Sequence, residues 1–507
     1  MIAVVDFGAQ YNLLIARRLR ELGFAAEVVP FDVGPEYLER AGARALVLSG
    51  GPASVSDADI LPHPEILELG LPVLGICYGM QVICHLRGGR VETGDHQEYG
   101  KRTLKRIGDS ELLDGLEDPI QVWMSHGDLA TALPEGARVV AETENCPFAA
   151  VEDPDRQLYM TQFHPEVSHT PQGSKILENF VRRVAKQEPD WSLETQVSAT
   201  VTRIADKIGD SRAVCGVSGG VDSTVAAVLA HRALGDRLVP IFVDHGMMRD
   251  GEAEEVEEML AGRLGLPLQT IHAGPRFLAN LEGESDPEKK RKIIGKTFIE
   301  VFEEAARAQA PIDYLIQGTL YPDVIESRSV RGPSATIKTH HNVGGLPERM
   351  ELKLVEPLRE LFKDEVRRVG AILEIDADIL GRHPFPGPGL AVRILGDITE
   401  ERIRMARESD RIFIEELRSS GQYDKIWQAF TVLLPVRTVG VMGDKRTYEQ
   451  AVAIRAVTST DAMTADWARI PYDVLETISN RIVNEVRGLN RVTYDITSKP
   501  PGTIEWE

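Results

Sequence analysis

Pro72-Val73-Leu74-Gly75-Ile76-Cys77-Tyr78-Gly79-Met80 is an apolar run that ends in a small-residue turn and passes into a helical pattern. Such a run predicts a strand buried on both faces, as in parallel sheets covered by helices. The same pattern returns at Ala213-Val214-Cys215-Gly216-Val217-Ser218-Gly219-Gly220-Val221-Asp222-Ser223-Thr224. Two such units in one chain predict an α/β fold with two doubly wound parallel-sheet domains. Residues 2–5 and 45–48 read as further strands of the first unit, and 13–22 as an amphipathic helix closed by Gly23. Gln187-Glu188-Pro189-Asp190-Trp191 reads as a linker, followed by a helix to about residue 208. Residues 238–243 and 314–316 read as strands of the second unit, with a helix over 225–234. The string His383-Pro384-Phe385-Pro386-Gly387-Pro388-Gly389 marks a third boundary. Beyond it, helical patterns mix with β-like runs at 431–436 and 451–457, a smaller α+β domain. The expected domains are therefore 1–188, 189–382 and 383–507.

Length and composition bound the reading. A chain of 507 residues exceeds what one core can hold. Its 43% hydrophobic and 27% charged shares are those of a globular protein. No run approaches the roughly 20 apolar residues of a membrane span, and the start reads as a first strand, not a signal peptide. Cys77, Cys84, Cys146 and Cys215 form no C-x-x-C pair. That predicts neither a disulfide framework nor a structural zinc site, and it predicts a cytoplasmic protein. A net charge of -21 excludes a broad nucleic-acid footprint. Anionic substrates must then be met by local basic clusters.

Cys77 lies at the turn between strand and helix, with glycine two residues before and after it. That is the spacing of a nucleophile elbow, which exposes the sulfur beside a helix N-terminus. His164 is the candidate base. It precedes Pro165, which biases it to extended backbone, so Glu166 can stand beside its ring as the third member of a triad. The oxyanion donors are the N–H of Gly51, in the Ser49-Gly50-Gly51-Pro52 turn, and that of Tyr78. The first 185 or so residues resemble the class I glutamine amidotransferase family, whose domain is flavodoxin-like. The resemblance implies a γ-glutamyl thioester on Cys77. It implies glutamine binding by Gln81, with Ser125, His126 and Asp128 as further candidates.

Ser218, Gly219, Gly220, Val221, Asp222, Ser223 and Thr224 follow a buried strand and open a helix, which presents backbone N–H groups to phosphate. This is not the Gly-Lys-Ser/Thr ending of a Walker A loop. The string resembles the PP-loop of the Rossmann-like ATP pyrophosphatase family, which splits ATP between its α- and β-phosphates. Asp244 ends the next predicted strand, where ligands of such sheets bind. Mg²⁺ is expected only with ATP, Asp222 being the candidate ligand, and no metal site from the protein alone.

The two chemistries fit together if one releases ammonia and the other consumes it. The strings Arg291-Lys292-Ile293-Ile294-Gly295, Lys338-Thr339-His340-His341-Asn342, His383 to Gly389 and Lys499-Pro500-Pro501-Gly502-Thr503-Ile504-Glu505-Trp506-Glu507 extend the resemblance over the whole chain to the GMP synthase family. That resemblance implies the substrates XMP, ATP and glutamine, contacts to XMP from Arg291, Arg393, Lys499 and Glu505, and a homodimer. It also makes the polar segment 321–350 a lid carrying Lys338. The C-terminal prolines and Trp506 predict a docked tail. Two other readings stand beside it: a PP-loop amidotransferase with a different acceptor, and a nucleotide-binding regulatory protein with a silent glutaminase domain.

Overall fold

Four consecutive buried residues form each of the strands β3 (Ala45–Leu48) and β4 (Val73–Ile76), and four of the five in β1 (Ile2–Asp6) are buried. In the computed structural model these strands lie side by side. It describes the chain except for residues 9–11, 56–59, 310, 321–322, 324–351, 443–444 and 460–463. Lys338 and nearly all of the expected lid therefore lie outside the described residues. The chain divides into two units, Met1–Gln196 and Val197–Glu507.

The first unit adds β2 (Ala26–Pro30), β5 (Arg90–Arg106), β6 (Ile120–Ala132), β7 (Arg138–Glu142), β8 (Ala150–Asp153) and β9 (Leu158–Thr161). The sheet order is β2-β1-β3-β4-β9-β8-β7-β5-β6. The first five strands are parallel. The other four continue the sheet antiparallel, an extension the parallel pattern did not predict. The helix Asn12–Glu21 ends where Gly23 takes a positive φ of 89°. The linker is tied to that turn: the N–H groups of Asp190 and Trp191 both donate to the Gly23 carbonyl at 3.0 Å.

In the second unit, β10 (Ala213–Val217), β11 (Leu238–Asp244), β12 (Gln269–His272), β13 (Tyr314–Ile316) and β14 (Lys353–Val355) form a parallel sheet in the order β12-β11-β10-β13-β14. The strand order reverses between β10 and β13, and the crevice at such a switch point is where ligands of these sheets sit. The helix after β10 spans Val221–Leu234 and so starts within the glycine-rich string, four residues earlier than its apolar pattern suggests. A second sheet joins β15 (Gln428–Met442), β16 (Lys445–Thr458), β17 (Asp466–Trp467) and β18 (Leu489–Asp495). One apolar core runs from Val214 and Ile241 through Phe302 and Leu390 to Phe413, Ile454 and Leu489. Within this core, Leu390 N–H donates to the Met247 carbonyl at 2.8 Å.

The tail is docked. Ile504 is buried, Arg455 donates to the Thr503 carbonyl at 3.1 Å, and Trp506 Nε1 donates to Asp495 Oδ2 at 2.9 Å. Trp506 remains 40% exposed, and buried Arg and Lys side chains also hold the tail.

Candidate functional site

The carboxyl ends of three adjacent strands build the first site. Ser49 follows β3, Cys77 follows β4 and Gln162 follows β9. Ile76 pairs with Thr161, and Cys77 N–H donates to the Thr161 carbonyl at 2.7 Å, so register alone brings position 77 beside residues 162–164. Cys77 has φ 52° and ψ −105° and immediately precedes the helix Tyr78–Leu86. A positive φ is costly for a residue with a Cβ and persists only where packing imposes it. Here the two flanking glycines allow that packing. A Cβ on Gly79 would stand 2.2 Å from the Leu48 carbonyl oxygen, and one on Gly75 would stand 2.7 Å from the Met80 nitrogen. The first turn of a helix aims its N–H groups outward, and Tyr78 opens this one.

His164 Nδ1 lies 2.7 Å from Glu166 Oε1, both groups are buried, and the ring also hydrogen-bonds Cys77. Burial opposes the charged imidazole, but the Glu166 carboxylate and Cys77 outweigh it and hold its pKa well above the ordinary 6.5. The backbone over 162–167 bends and forms no strand, so it is other residues that fix the pair. His164 N–H donates to the Trp123 carbonyl at 3.0 Å, and Thr170 Oγ1 donates to the His164 carbonyl at 2.7 Å. Gly173 lets the chain pass: a Cβ there would stand 1.8 Å from the Pro165 carbonyl oxygen. Gln162 donates to Cys77 Sγ at 3.6 Å. Thr170, Gly173 and Gln162 escape a reading of the sequence because they act through the fold and belong to no motif spacing.

The candidate glutamine residues converge on β6. Cys77 Sγ donates to the Ser125 carbonyl at 3.8 Å, and Gln81 Nε2 donates to the Asp128 carbonyl at 2.8 Å. His126 Nδ1 lies 3.2 Å from that same carbonyl, and its ring is buried toward Glu98. Gly51 sits against Phe7 and Tyr78, where a Cβ would meet the Phe7 carbonyl oxygen at 3.1 Å.

The second site lies at the carboxyl edge of the parallel sheet. Gly219 has φ 75°, and a Cβ there would stand 2.4 Å from Val256. Ser223 Oγ accepts from Ser218 N–H at 3.1 Å and donates to the Gly220 carbonyl at 3.2 Å, which folds the loop over the start of its helix. Thr224 N–H donates to the Gly220 carbonyl at 3.0 Å. Val221, the first helical residue, is buried and anchors the loop. Asp222 Oδ2 accepts from Lys363, while its buried Oδ1 has no hydrogen-bond partner. Asp244, at the end of β11, accepts from Gly246 N–H at 2.9 Å and faces His272 at 3.4 Å.

The four basic or acidic residues expected at the acceptor divide into two roles. Arg393 is fully buried, donates to both oxygens of Glu505 at 3.2 and 2.9 Å, and packs on Phe430. Gln428 donates to the same carboxylate at 2.7 Å. Arg291 donates to the Glu507 carbonyl, and the backbone of Lys499 pairs with Ala465. The fully buried Lys290, which sequence reasoning passed over, donates to Glu507 Oε2 at 2.6 Å and the Ile394 carbonyl at 2.8 Å.

Known proteins resemble the chain throughout. The family model described as glutamine amidotransferase class-I matches residues 3–184. One described as NAD synthase matches 194–319, and one described as GMP synthase C terminal domain matches 415–506. Proteins named GMP synthase (glutamine-hydrolyzing) are similar over the whole chain. That of Aquifex aeolicus (strain VF5) is 54% identical over 507 residues, covering 100% of this chain and 99% of its own. That of Chlorobaculum tepidum is 56% identical over 513 residues, covering 100% and 99%. That of Bartonella quintana is 55% identical over 512 residues, covering 100% and 98%.

Proposed function

The chain belongs to the glutamine-hydrolysing GMP synthase family and aminates XMP to GMP with glutamine and ATP, and from that premise we propose roles for the residues gathered at its two sites. Cys77 Sγ attacks the side-chain amide carbon of glutamine. His164, held charged beside Glu166, already carries the Cys77 proton and gives it to the departing ammonia, leaving a γ-glutamyl thioester. Water, deprotonated by the same ring, releases glutamate. Glu166 orients the imidazole and balances its charge, and the N–H groups of Gly51 and Tyr78 receive the oxyanion. Gln81, Ser125 and Asp128 form the wall for glutamine, with His126 supporting Asp128 from behind. The observation that carries this half is the buried line from Cys77 through His164 to Glu166.

In the second unit the loop of Ser218, Gly219, Gly220, Val221, Asp222, Ser223 and Thr224 cradles the pyrophosphate part of ATP, with Asp244 facing it from the next strand end. Mg²⁺ bound with the nucleotide would neutralise phosphate charge, and the orphaned Oδ1 of Asp222 is the carboxylate oxygen that would hold it. The oxygen on C2 of XMP attacks the α-phosphorus and pyrophosphate leaves. Ammonia then attacks C2 and AMP leaves. Arg291 and Lys499 meet the XMP phosphate, while Arg393 holds Glu505 toward the base or ribose. This assigns residues 1–188 to glutamine hydrolysis, 189–382 to adenylation, and 383–507 to completing the XMP site and dimerising. The exposed stripe of Val439, Val441 and Tyr448 supports a homodimer, Val439 and Tyr448 being cross-strand partners. Among the described residues no helix is long and apolar enough to cross a membrane. The four unpaired cysteines fit a cytoplasmic protein.

One steady-state assay with XMP, ATP, Mg²⁺ and glutamine tests the reading. AMP, GMP and glutamate should appear in equal amounts. AMP formation that ignores XMP would overturn it.

A further inference from the structure

Behind the glutamine wall three buried side chains of different chemistry point at one another. Glu98 and His126 are direct cross-strand partners on β5 and β6, just past an irregularity in their register, and Cys146 lies on the turn between β7 and β8. One ligand atom of each lies within 4.8 Å of the others. All three residues are buried, with exposures of 0%, 5% and 1%.

Hydrogen bonding determines what each presents. The Asp128 carbonyl can only accept, so His126 Nδ1, 3.2 Å from it, carries a hydrogen. His126 Nε2, on the other side of the ring, lies 3.7 Å from Glu98 Oε2 and has no hydrogen-bond partner. A carboxylate and an unpartnered ring nitrogen facing each other out of water leave a place that a bound cation can fill. The supporting contacts are those of a built site. Thr143 Oγ1 donates to Glu98 Oε1 and Oε2 at 3.1 and 3.0 Å, and Arg102 donates to Oε1 at 2.9 Å. Cys146 N–H donates to Thr143 Oγ1 at 3.1 Å, and Thr143 N–H to the Cys146 carbonyl at 2.9 Å. Ligands oriented in this way by a second layer of hydrogen bonds are characteristic of metal centres.

We propose that Glu98, His126 and Cys146 bind one divalent transition-metal ion of the Zn²⁺ class, through a carboxylate oxygen, an imidazole nitrogen and a thiolate. The mixed O, N and S donor set suits this borderline-soft ion and neither Mg²⁺ nor Ca²⁺. Binding converts the Cys146 thiol to a thiolate and releases its proton to solvent. The ion ties β5, β6 and the 143–146 turn together behind the Asp128 carbonyl that Gln81 also engages. No C-x-x-C spacing announces the site, because only strand pairing assembles it.

The test uses the full chain stripped with chelator, then loaded with Zn²⁺ or with Co²⁺ as a spectroscopic probe. About one ion per chain should survive desalting, and the Co²⁺ form should show a thiolate-to-metal charge-transfer band. Cys77→Ala should keep both, while Cys146→Ser and His126→Gln should lose them. Thr143→Val should weaken binding by about 10–100-fold. X-ray absorption on the Zn²⁺-loaded Cys77→Ala protein gives a readout that does not depend on the folding of the ligand variants. One sulfur at about 2.3 Å among lighter donors is expected. No retained ion, no sulfur in that shell, or a band that survives Cys146→Ser overturns the proposal.

Discussion

His164 Nδ1 and Glu166 Oε1 are 2.7 Å apart across a single intervening proline, both buried, in a segment that bends. The carboxylate keeps the imidazole charged against the burial that opposes it. Glu166→Gln should therefore slow glutamine hydrolysis by roughly 10²–10⁴-fold. GMP formation from added ammonium should be unaffected. Cys77→Ala should abolish the glutamine-driven rate and leave the ammonium-driven rate. Steady-state rates with each nitrogen source check both, and loss of the two activities together in a folded Cys77→Ala protein would count against separate sites.

Gly173 is a packing requirement of the same loop. A methyl group there meets the Pro165 carbonyl oxygen at 1.8 Å, so the backbone that carries His164 must shift. Gly173→Ala should cost about 1–3 kcal/mol by overpacking and lower glutamine-driven activity. The ammonium-driven rate, which belongs to the other unit, should be retained. Urea unfolding together with the two assays tests this.

The fully buried Lys290 forms an ion pair with the largely buried side chain of Glu507 and so fastens the C-terminal segment. Lys290→Met leaves the carboxylate buried and unpaired, which costs about 3–5 kcal/mol. It should also raise KM for XMP, since Glu505 lies two residues away. Adding Glu507→Gln should recover part of the stability, because the two changes share one interaction. A double-mutant cycle measured by urea unfolding decides.

His245 is buried and its Nδ1 accepts from Met247 N–H at 3.1 Å. Burial lowers its pKa to about 4. The unfolded ring takes up a proton near its ordinary 6.5, so between these values the unfolded chain holds the extra proton. Acid therefore removes stability, by about 1.4 kcal/mol per pH unit inside that window. In His245→Gln, whose amide oxygen can still accept from Met247, the loss of stability from pH 6.5 to 4 should be shallower. Unfolding midpoints against pH check it.

Strand placement was legible because fully buried parallel strands are written as continuous apolar runs. β3 and β13 match the expected residues end for end. The antiparallel half of the first sheet was not legible, since half-buried strands such as β6 alternate polar and apolar residues without saying what they pair with. The linear strings pointed to Cys77, His164 and the Ser218–Thr224 loop because the chemistry of each depends on its immediate neighbours along the chain.

The order of residues alone determined the α/β class, the two elbows and the residue types available for catalysis, since backbone turns and nucleophiles depend on local spacing. Tertiary structure alone decided which distant groups meet: Thr170 under His164, Gln162 beside the sulfur of Cys77, Lys290 on Glu507, and Glu98, His126 and Cys146 around one point. The reason is that burial selects polar partners by register and packing, and neither is encoded in the distance between residues along the chain.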